Sequence, residues 1–242
     1  MEAADIKGLL GLLLVDGSLN LYRTPRGGYV QLTLTGGITE SAFLEEKVAE
    51  FRQFIPTKAQ IVPYKTAARY TTMPNKQGVV DDAPRHTTVL RFRVSTNKLR
   101  PVYNLLYPGG TRRITQMVLE MLGGRAAAWA WAEGARLNAD GSVVLARCGN
   151  TDLERELISE WLTLLTGATS EELIDDKLFK PRLLLAPAEA AKAASALRPY
   201  APPSRLHLFQ STCEPAANQD HSLVLPRQRQ AEHSGKQKAA VA

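Results

Sequence analysis

The alternation of apolar and polar positions divides the chain into two similar halves. Residues 5–15 and 125–132 are apolar on nearly every side of a helix, which predicts two helices buried on more than one face. Asp16 and Glu133 come at the ends of these helices, and each precedes a glycine suited to the turn after a helix. The C-terminal end of a helix carries partial negative charge, so two acids at matching positions indicate that a cation binds there.

The segments that follow both helices match as well. Hairpins are predicted after each acid, the first joined through residues 25–28 and the second through the Asp-Gly pair at 140–141. Each hairpin ends in a Gly-x-Thr-acid step, and Thr151 with Glu154 predicts a capping box for the second helix that follows. The predicted strands are 18–23, 29–35, 60–65, 86–95, 136–137, 142–147 and 181–186, and the remaining helices are 40–54, 97–106, 152–166 and 188–197.

This order of elements predicts an α+β fold built from two degenerate copies of αββαββα. We assign the N-terminal half to residues 1–111 and the C-terminal half to residues 112–209. The periodicity stops near Gln210, so the segment 210–242, rich in Gln, Ser, Ala and Lys, is predicted to be a flexible tail.

Positive charge is concentrated in one stretch of the chain. The 242 residues carry a net charge of +6, and eleven Lys and Arg residues against two acids lie between Lys58 and Arg113. Such a stretch predicts a surface that binds a polyanion, with a solvated basic face as the alternative. Two cysteines and the lack of an apolar run as long as a membrane span predict a cytoplasmic protein with no membrane partner.

Polar and apolar side chains alternate in two of the predicted strands. Gln31, Thr33 and Thr35 share one face of the first strand, and Arg91 and Arg93 share one face of the second. Arg, Gln and Thr on a curved ribbon suit base edges and phosphates in a DNA major groove. An ordinary solvated sheet face is the alternative, but the lack of an acid among these residues favours nucleic acid.

The two helical segments resemble a known motif. LLGLLLVDGS at residues 9–18 resembles the motif of the LAGLIDADG homing endonucleases, and AAAWAWAEGA at residues 126–135 is similar to a second copy. The resemblance covers residues 5–209 and implies a pseudo-twofold molecule with two antiparallel β-saddles around a central pair of motif helices. It also implies that Gly11 and Ala128 lie where these helices touch.

The same resemblance implies functions for the acids and for several basic residues. It implies that Asp16 and Glu133 are catalytic residues and ligands for Mg²⁺. It also implies that the active site holds two or three divalent ions, and that Ca²⁺ can replace Mg²⁺ without supporting cleavage. The stretch YPGGTRRI at residues 107–114 is similar to a family segment with a basic residue near the active-site water, so Arg112 is a third catalytic candidate. The residues expected to contact DNA are Arg23, Arg26, Gln31, Thr33, Thr35, Lys65, Arg91, Arg93, Arg113, Arg136, Arg147, Lys180 and Arg182.

These features predict a site-specific endonuclease that acts as a monomer on double-stranded DNA at a long asymmetric target. The RNA of a host intron is a further partner of such proteins, which are encoded in introns or inteins. The alternative from another class is an intron maturase or a DNA-binding regulator on the same fold without cleavage. A protein that only binds gains nothing from two carboxylates facing phosphate. The sequence contains no Gly-rich phosphate loop, nucleophile elbow or zinc-protease motif, so the chemistries of those three motifs are less favoured.

Overall fold

A computed structural model describes residues 2–25, 27–66, 87–146, 149–175 and 180–210. The helices are α1 (Ala3–Leu13), α2 (Ser41–Phe54), α3 (Arg100–Leu106), α4 (Gln116–Glu120), α5 (Gly124–Gly134), α6 (Asp152–Thr166) and α7 (Pro187–Leu197). The strands are β1 (Ser18–Thr24), β2 (Gly27–Gly36), β3 (Ile61–Lys65), β4 (Thr88–Thr96), β5 (Ala135–Leu137), β6 (Val143–Leu145), β7 (Glu171–Asp175) and β8 (Lys180–Leu185).

The strands form two four-stranded antiparallel sheets with the same topology. The first sheet has the order β1-β2-β4-β3, and the second has the order β5-β6-β8-β7. Each sheet is preceded by one long apolar helix and contains a second helix between its two hairpins. The duplicated α+β fold predicted from the element order is therefore confirmed. Two elements were not predicted: β7, which starts at the pair Glu171-Glu172, and α4, which lies between the two copies.

The two apolar helices α1 and α5 pack against each other in the centre of the molecule. A Cβ atom added to Gly11 would lie 2.8 Å from the Cβ of Ala126, so the two backbones approach closely there. Ala128 is buried, but Ala126 is the residue that faces Gly11. The residue that faces Gly11 is thus two positions before Ala128, the residue that the resemblance implies for this contact.

The inner face of each sheet packs on the helices. Val30, Leu32 and Leu34 of β2 are fully buried, as the alternation in the sequence predicts. They belong to one hydrophobic cluster that continues through α1 and α5 into the second half of the chain. Trp129, Trp131 and Trp161 of the second half are also buried in this cluster, as expected of core aromatics.

Several local predictions differ from the structure in detail. Gly17 has a φ of 77° as predicted, but Gly134 is the last residue of α5 and is not among the residues with positive φ. Thr151 caps α6 through the Glu154 N–H, whereas the Glu154 carboxylate accepts from the N–H groups of Asn150 and Ile114. The capping box is therefore only half formed, because Glu154 is used to attach the segment between the two halves.

The helices of the described residues are all too short or too polar to cross a membrane.

Candidate active site and nucleic-acid interface

Asp16 and Glu133 lie side by side at the ends of the two central helices. Asp16 follows the end of α1 by three residues, and Glu133 is the last residue but one of α5. The Nζ of Lys47, from α2, donates a hydrogen bond to Asp16 Oδ2 at 2.5 Å and another to Glu133 Oε2. One ammonium group thus bridges both carboxylates. The cation that two acids at helix ends demand is here a lysine of the chain itself.

Lys47 is buried together with the acids that it bridges. The side chain of Lys47 is 4% exposed, and those of Asp16 and Glu133 are 11% and 12% exposed. Its ammonium also lies 4.4 Å from the centre of the Phe43 ring, within the range of a cation–π interaction. A charge at this depth persists only when it is paired, so the lysine and the two acids depend on each other.

A polar cavity of about 150 Å³ adjoins Lys47 and Glu133. Its lining includes Glu40, Arg136 and Arg205 as well as backbone at the end of β2. Arg205 comes from the closing segment Pro203–Phe209, and its guanidinium hydrogen-bonds Glu40. This hydrogen bond holds the pKa of the Glu40 carboxyl below its usual value. The cavity therefore has charges of both signs and room for hydrated ions.

The guanidinium of Arg112 binds the end of α1 and the turn that follows it. Its guanidinium donates to the carbonyl oxygens of Leu14 at 2.8 Å and Gly17 at 2.7 Å, and also to that of Leu13. The carbonyls of Leu13 and Leu14 carry the negative end of the α1 dipole, which a guanidinium stabilises. Since Asp16 lies between Leu14 and Gly17, Arg112 holds the turn that carries this acid. Arg113, the next residue, is exposed.

The chemistry of the two acids fits a hard divalent cation. Both carboxylates reach one nitrogen atom, so their oxygens are close enough to ligate one ion. Mg²⁺ typically binds one or two carboxylates and completes its coordination with water and substrate phosphate. No cluster of three or more His, Cys, Asp or Glu side chains with metal-binding geometry occurs in the described ranges.

The outer face of the first sheet is polar and lacks acids. Thr33 pairs with Arg93 across β2 and β4, Thr35 pairs with Arg91, and Gln31 donates to a Ser95 hydroxyl at 3.1 Å. Because side chains alternate along a strand, all of these residues lie on the face opposite the core. None of the residues of β1 to β4 is acidic. The predicted set of hydrogen-bonding and cationic groups is thus brought together on one surface.

Arg91 is held in place by an aromatic neighbour that we did not predict. Its guanidinium carbon lies 3.6 Å from the centre of the Tyr64 ring on β3. Its Nε is buried and has no hydrogen-bond partner among the residues that the structure describes. Stacking fixes the plane of a guanidinium and leaves its outer nitrogens available for ligands. Arg93, two residues further along β4, is exposed.

Two other predicted DNA contacts lie elsewhere in the register. Arg23 pairs with Gly28, and Lys65 pairs with Thr88. By the alternation of side chains along a strand, both residues belong to the face of the sheet that packs on the core, not to the outer face. Their side chains are exposed because they stand at strand tips, beyond the core. Arg26 lies outside the described residues.

The second sheet has shorter strands and a different outer face. Arg136 pairs with Val144, which in turn pairs with Leu184. The apolar residues Val144 and Leu184 therefore lie on the same face of the second sheet as Arg136. Arg182 is half-buried on the same face and pairs with Leu173. Lys180 begins β8, but its side chain is not described, and Arg147 lies outside the described residues. The two sheets therefore present chemically different surfaces.

Lys47 is the main residue that the sequence analysis missed. The buried face of α2 is formed by Phe43, Leu44, Lys47, Val48 and Phe51, together with Glu50. A lysine within a helical stripe of apolar residues was a detectable signal, because such a position requires a buried partner for the charge.

The fold is similar to that of known DNA-cleaving proteins. The homing endonuclease I-WcaI bound to its DNA recognition sequence superposes with a TM-score of 0.63 at 13% identity, over 87% of this chain and 88% of that one. A variant of the homing endonuclease I-DmoI with target DNA and Mg gives a TM-score of 0.49 at 12% identity, over 80% and 97% of the two chains. The N-terminal LAGLIDADG domain of DUF199/WhiA gives 0.41 at 8% identity, over 81% and 80%.

The first of these similarities carries the fold assignment. The sequence itself matches no family model and no curated protein.

Proposed function

We propose that this protein, which has the fold of the LAGLIDADG homing endonucleases, is a metal-dependent endonuclease that cleaves double-stranded DNA at a specific site. The observation that carries the proposal is the convergence of Asp16 and Glu133 on one cation position at the ends of two central helices. A polar, acid-free sheet face in the same half of the chain supplies a surface for the nucleic acid.

Asp16 and Glu133 are the residues that would hold the metal. When bound, a divalent ion supplies Lewis-acid polarisation of the phosphodiester. Arg112 fixes the turn that carries Asp16, so this acid is held in position before DNA arrives. Water activation in this proposal uses no dedicated protein base, and the cavity beside Glu133 provides room for water.

The two unlike sheets favour a long asymmetric target. The first sheet offers Gln, Thr and Arg side chains, whereas the second offers Arg136 and Arg182 among apolar residues. Because each sheet would read its own half-site, the two half-sites need not be related in sequence. Both motif helices belong to one chain, so we propose that the protein acts as a monomer.

The test is cleavage of DNA that flanks the insertion point of the protein's own gene. We expect double-strand cutting at one position with Mg²⁺, binding without cutting when Ca²⁺ replaces it, and no cutting with EDTA. Fragments are measured on gels with supercoiled and linear substrates. Equal cutting in EDTA would contradict the metal assignment, and a lack of cutting on every flanking sequence would contradict the proposed activity.

One observation favours a second candidate, a protein that binds DNA or intron RNA without cleaving it. The Lys47 ammonium offsets one of the two negative charges of the acids, so their carboxylates would repel phosphate less even without metal. Tight, specific binding with no cleavage in Mg²⁺ or Mn²⁺ would support this candidate over the nuclease.

Truncation of the sheet arginines is expected to show which of them reads sequence. We expect at least one of Arg91→Ala and Arg93→Ala to weaken binding by about 1–3 kcal/mol and to relax specificity at one base pair. Arg91 is the stronger candidate, because Tyr64 holds its guanidinium in one orientation. Binding titrations at several salt concentrations, on the target and on single-base variants, measure the effect.

A matched control is Arg198→Ala. Arg198 is exposed and comes directly after α7, two residues before Tyr200, which together with Ala4 lines a groove beside the first half of α1. Its loss should leave specificity unchanged. An arginine that contacts only phosphate would weaken binding to all sequences alike and reduce the salt slope by about one. If neither sheet variant differs from the control, the first sheet does not bind DNA.

A further inference from the structure

We propose that Lys47 is a resident counter-ion that occupies the cation position between Asp16 and Glu133 in the DNA-free protein, and that divalent metal binds by displacing its ammonium. The inference rests on the proposed function for the identity of the metal ligands. It adds a residue of this chain that controls access of metal to them.

Geometry places the ammonium and a metal in competition. Lys47 Nζ is within hydrogen-bond distance of one oxygen from each acid. A divalent ion between the same oxygens would stand about 2.0–2.6 Å from each of them. The two cations would overlap in space and repel each other. Metal and ammonium therefore exclude each other from this position.

The ammonium comes from one half of the protein alone. α2 supplies Lys47, whereas α6, the matching helix of the second half, contains no lysine, and its buried face has Ile158 and Trp161. One lysine thus compensates two acids, one from each half. This departs from the duplication of the fold, in which one acid follows the end of α1 and the other lies in the last turn of α5.

A displaced ammonium has a polar place to go. The cavity beside Glu133 is lined by Lys47 itself and by the polar residues Glu40 and Thr35. The lysine side chain has four methylene groups with rotatable bonds, so its ammonium can leave the acids while Cα stays fixed in α2. A DNA phosphate near the acids would offer the ammonium a second anionic partner. Metal binding should therefore be weak in the free protein and stronger with DNA.

The experiment compares thermal unfolding of the DNA-free protein in EDTA and in millimolar Ca²⁺. Wild type is expected to shift by less than about 2 °C, because the Lys47 ammonium already occupies the cation position between the acids. Lys47→Met removes the buried ammonium that both carboxylates share, so its Tm in EDTA should fall by roughly 10 °C. Ca²⁺ should restore most of this loss, and calorimetric titration should show Ca²⁺ binding about tenfold or more tighter than in wild type.

Two further variants keep the test decisive. Lys47→Gln retains a hydrogen-bond donor without the charge, so it should fold and gain Ca²⁺ stabilisation even if Lys47→Met does not fold. Lys7→Met changes an exposed lysine at the opposite end of α1 and should respond to Ca²⁺ as wild type does. An equal Ca²⁺ response in wild type, Lys47→Gln and Lys7→Met would overturn the proposal.

The outcome is separable from that of the proposed function. Ca²⁺ stabilisation confined to the Lys47 variants establishes the displacement whether or not DNA is cut. If wild type cuts DNA with Mg²⁺ but the Lys47 variants bind Ca²⁺ no better than wild type, the displacement is wrong and the nuclease stands.

Discussion

Asp16→Asn and Glu133→Gln should each reduce double-strand cutting by about 10³-fold or more while DNA binding persists. Metal stabilisation of a transition state is worth several kcal/mol, and each 1.4 kcal/mol is a factor of ten in rate. Each substitution removes one of the two carboxylates that meet at the Lys47 ammonium. Loss of a negative charge near phosphate does not oppose binding, so affinity should stay equal or rise.

Single-turnover cleavage and binding titrations in Ca²⁺ separate the two effects. Glu156→Gln is the matched control, because it makes the same change from carboxylate to amide at an exposed position of α6, away from Asp16 and Glu133. It should cut as wild type does. Cutting by either acid variant at the wild-type rate in Mg²⁺ would show that the acid is not a metal ligand for the reaction.

Gly11→Leu should destabilise the protein by more than about 3 kcal/mol or prevent folding. Overpacking a core commonly costs about 1–3 kcal/mol, and here the obstacle includes backbone. A Cβ at Gly11 would already lie 2.8 Å from Ala126 Cβ and 3.3 Å from Ala126 Cα. The larger side chain must therefore push α1 and α5 apart, and the two halves share this contact.

Denaturant or thermal unfolding measures the loss, and Gly11→Ala should be intermediate. Gly123→Ala is the control, since Gly123 precedes α5, has no atom within 4 Å of an added Cβ, and is not in the positive-φ region. A Gly11→Leu protein as stable as this control would show that the helices are not in close contact there.

The sequence by itself determined the repeat and the faces of its elements. Apolar residues on all sides of two segments predicted the central helices, because only burial on several faces stabilises such a surface in water. Strict alternation over Tyr29–Thr35 predicted which side chains of β2 are buried, because a strand has a period of two. The matched acids Asp16 and Glu133 were found in the same way, from their place at the ends of the two helices.

What only the tertiary structure decided concerns groups that come together from distant parts of the chain. Lys47 meets the two acids across 31 and 86 residues, and Arg112 meets the α1 carbonyls across 95 to 99 residues. Local periodicity contains no information on such pairs, because they depend on how helices cross and how strands register. The same reason explains why Ala126 faces Gly11 and why Tyr64 lies under Arg91. Helix ends and strand faces are local properties of the sequence, whereas the occupant of the cation position is a property of the packed molecule.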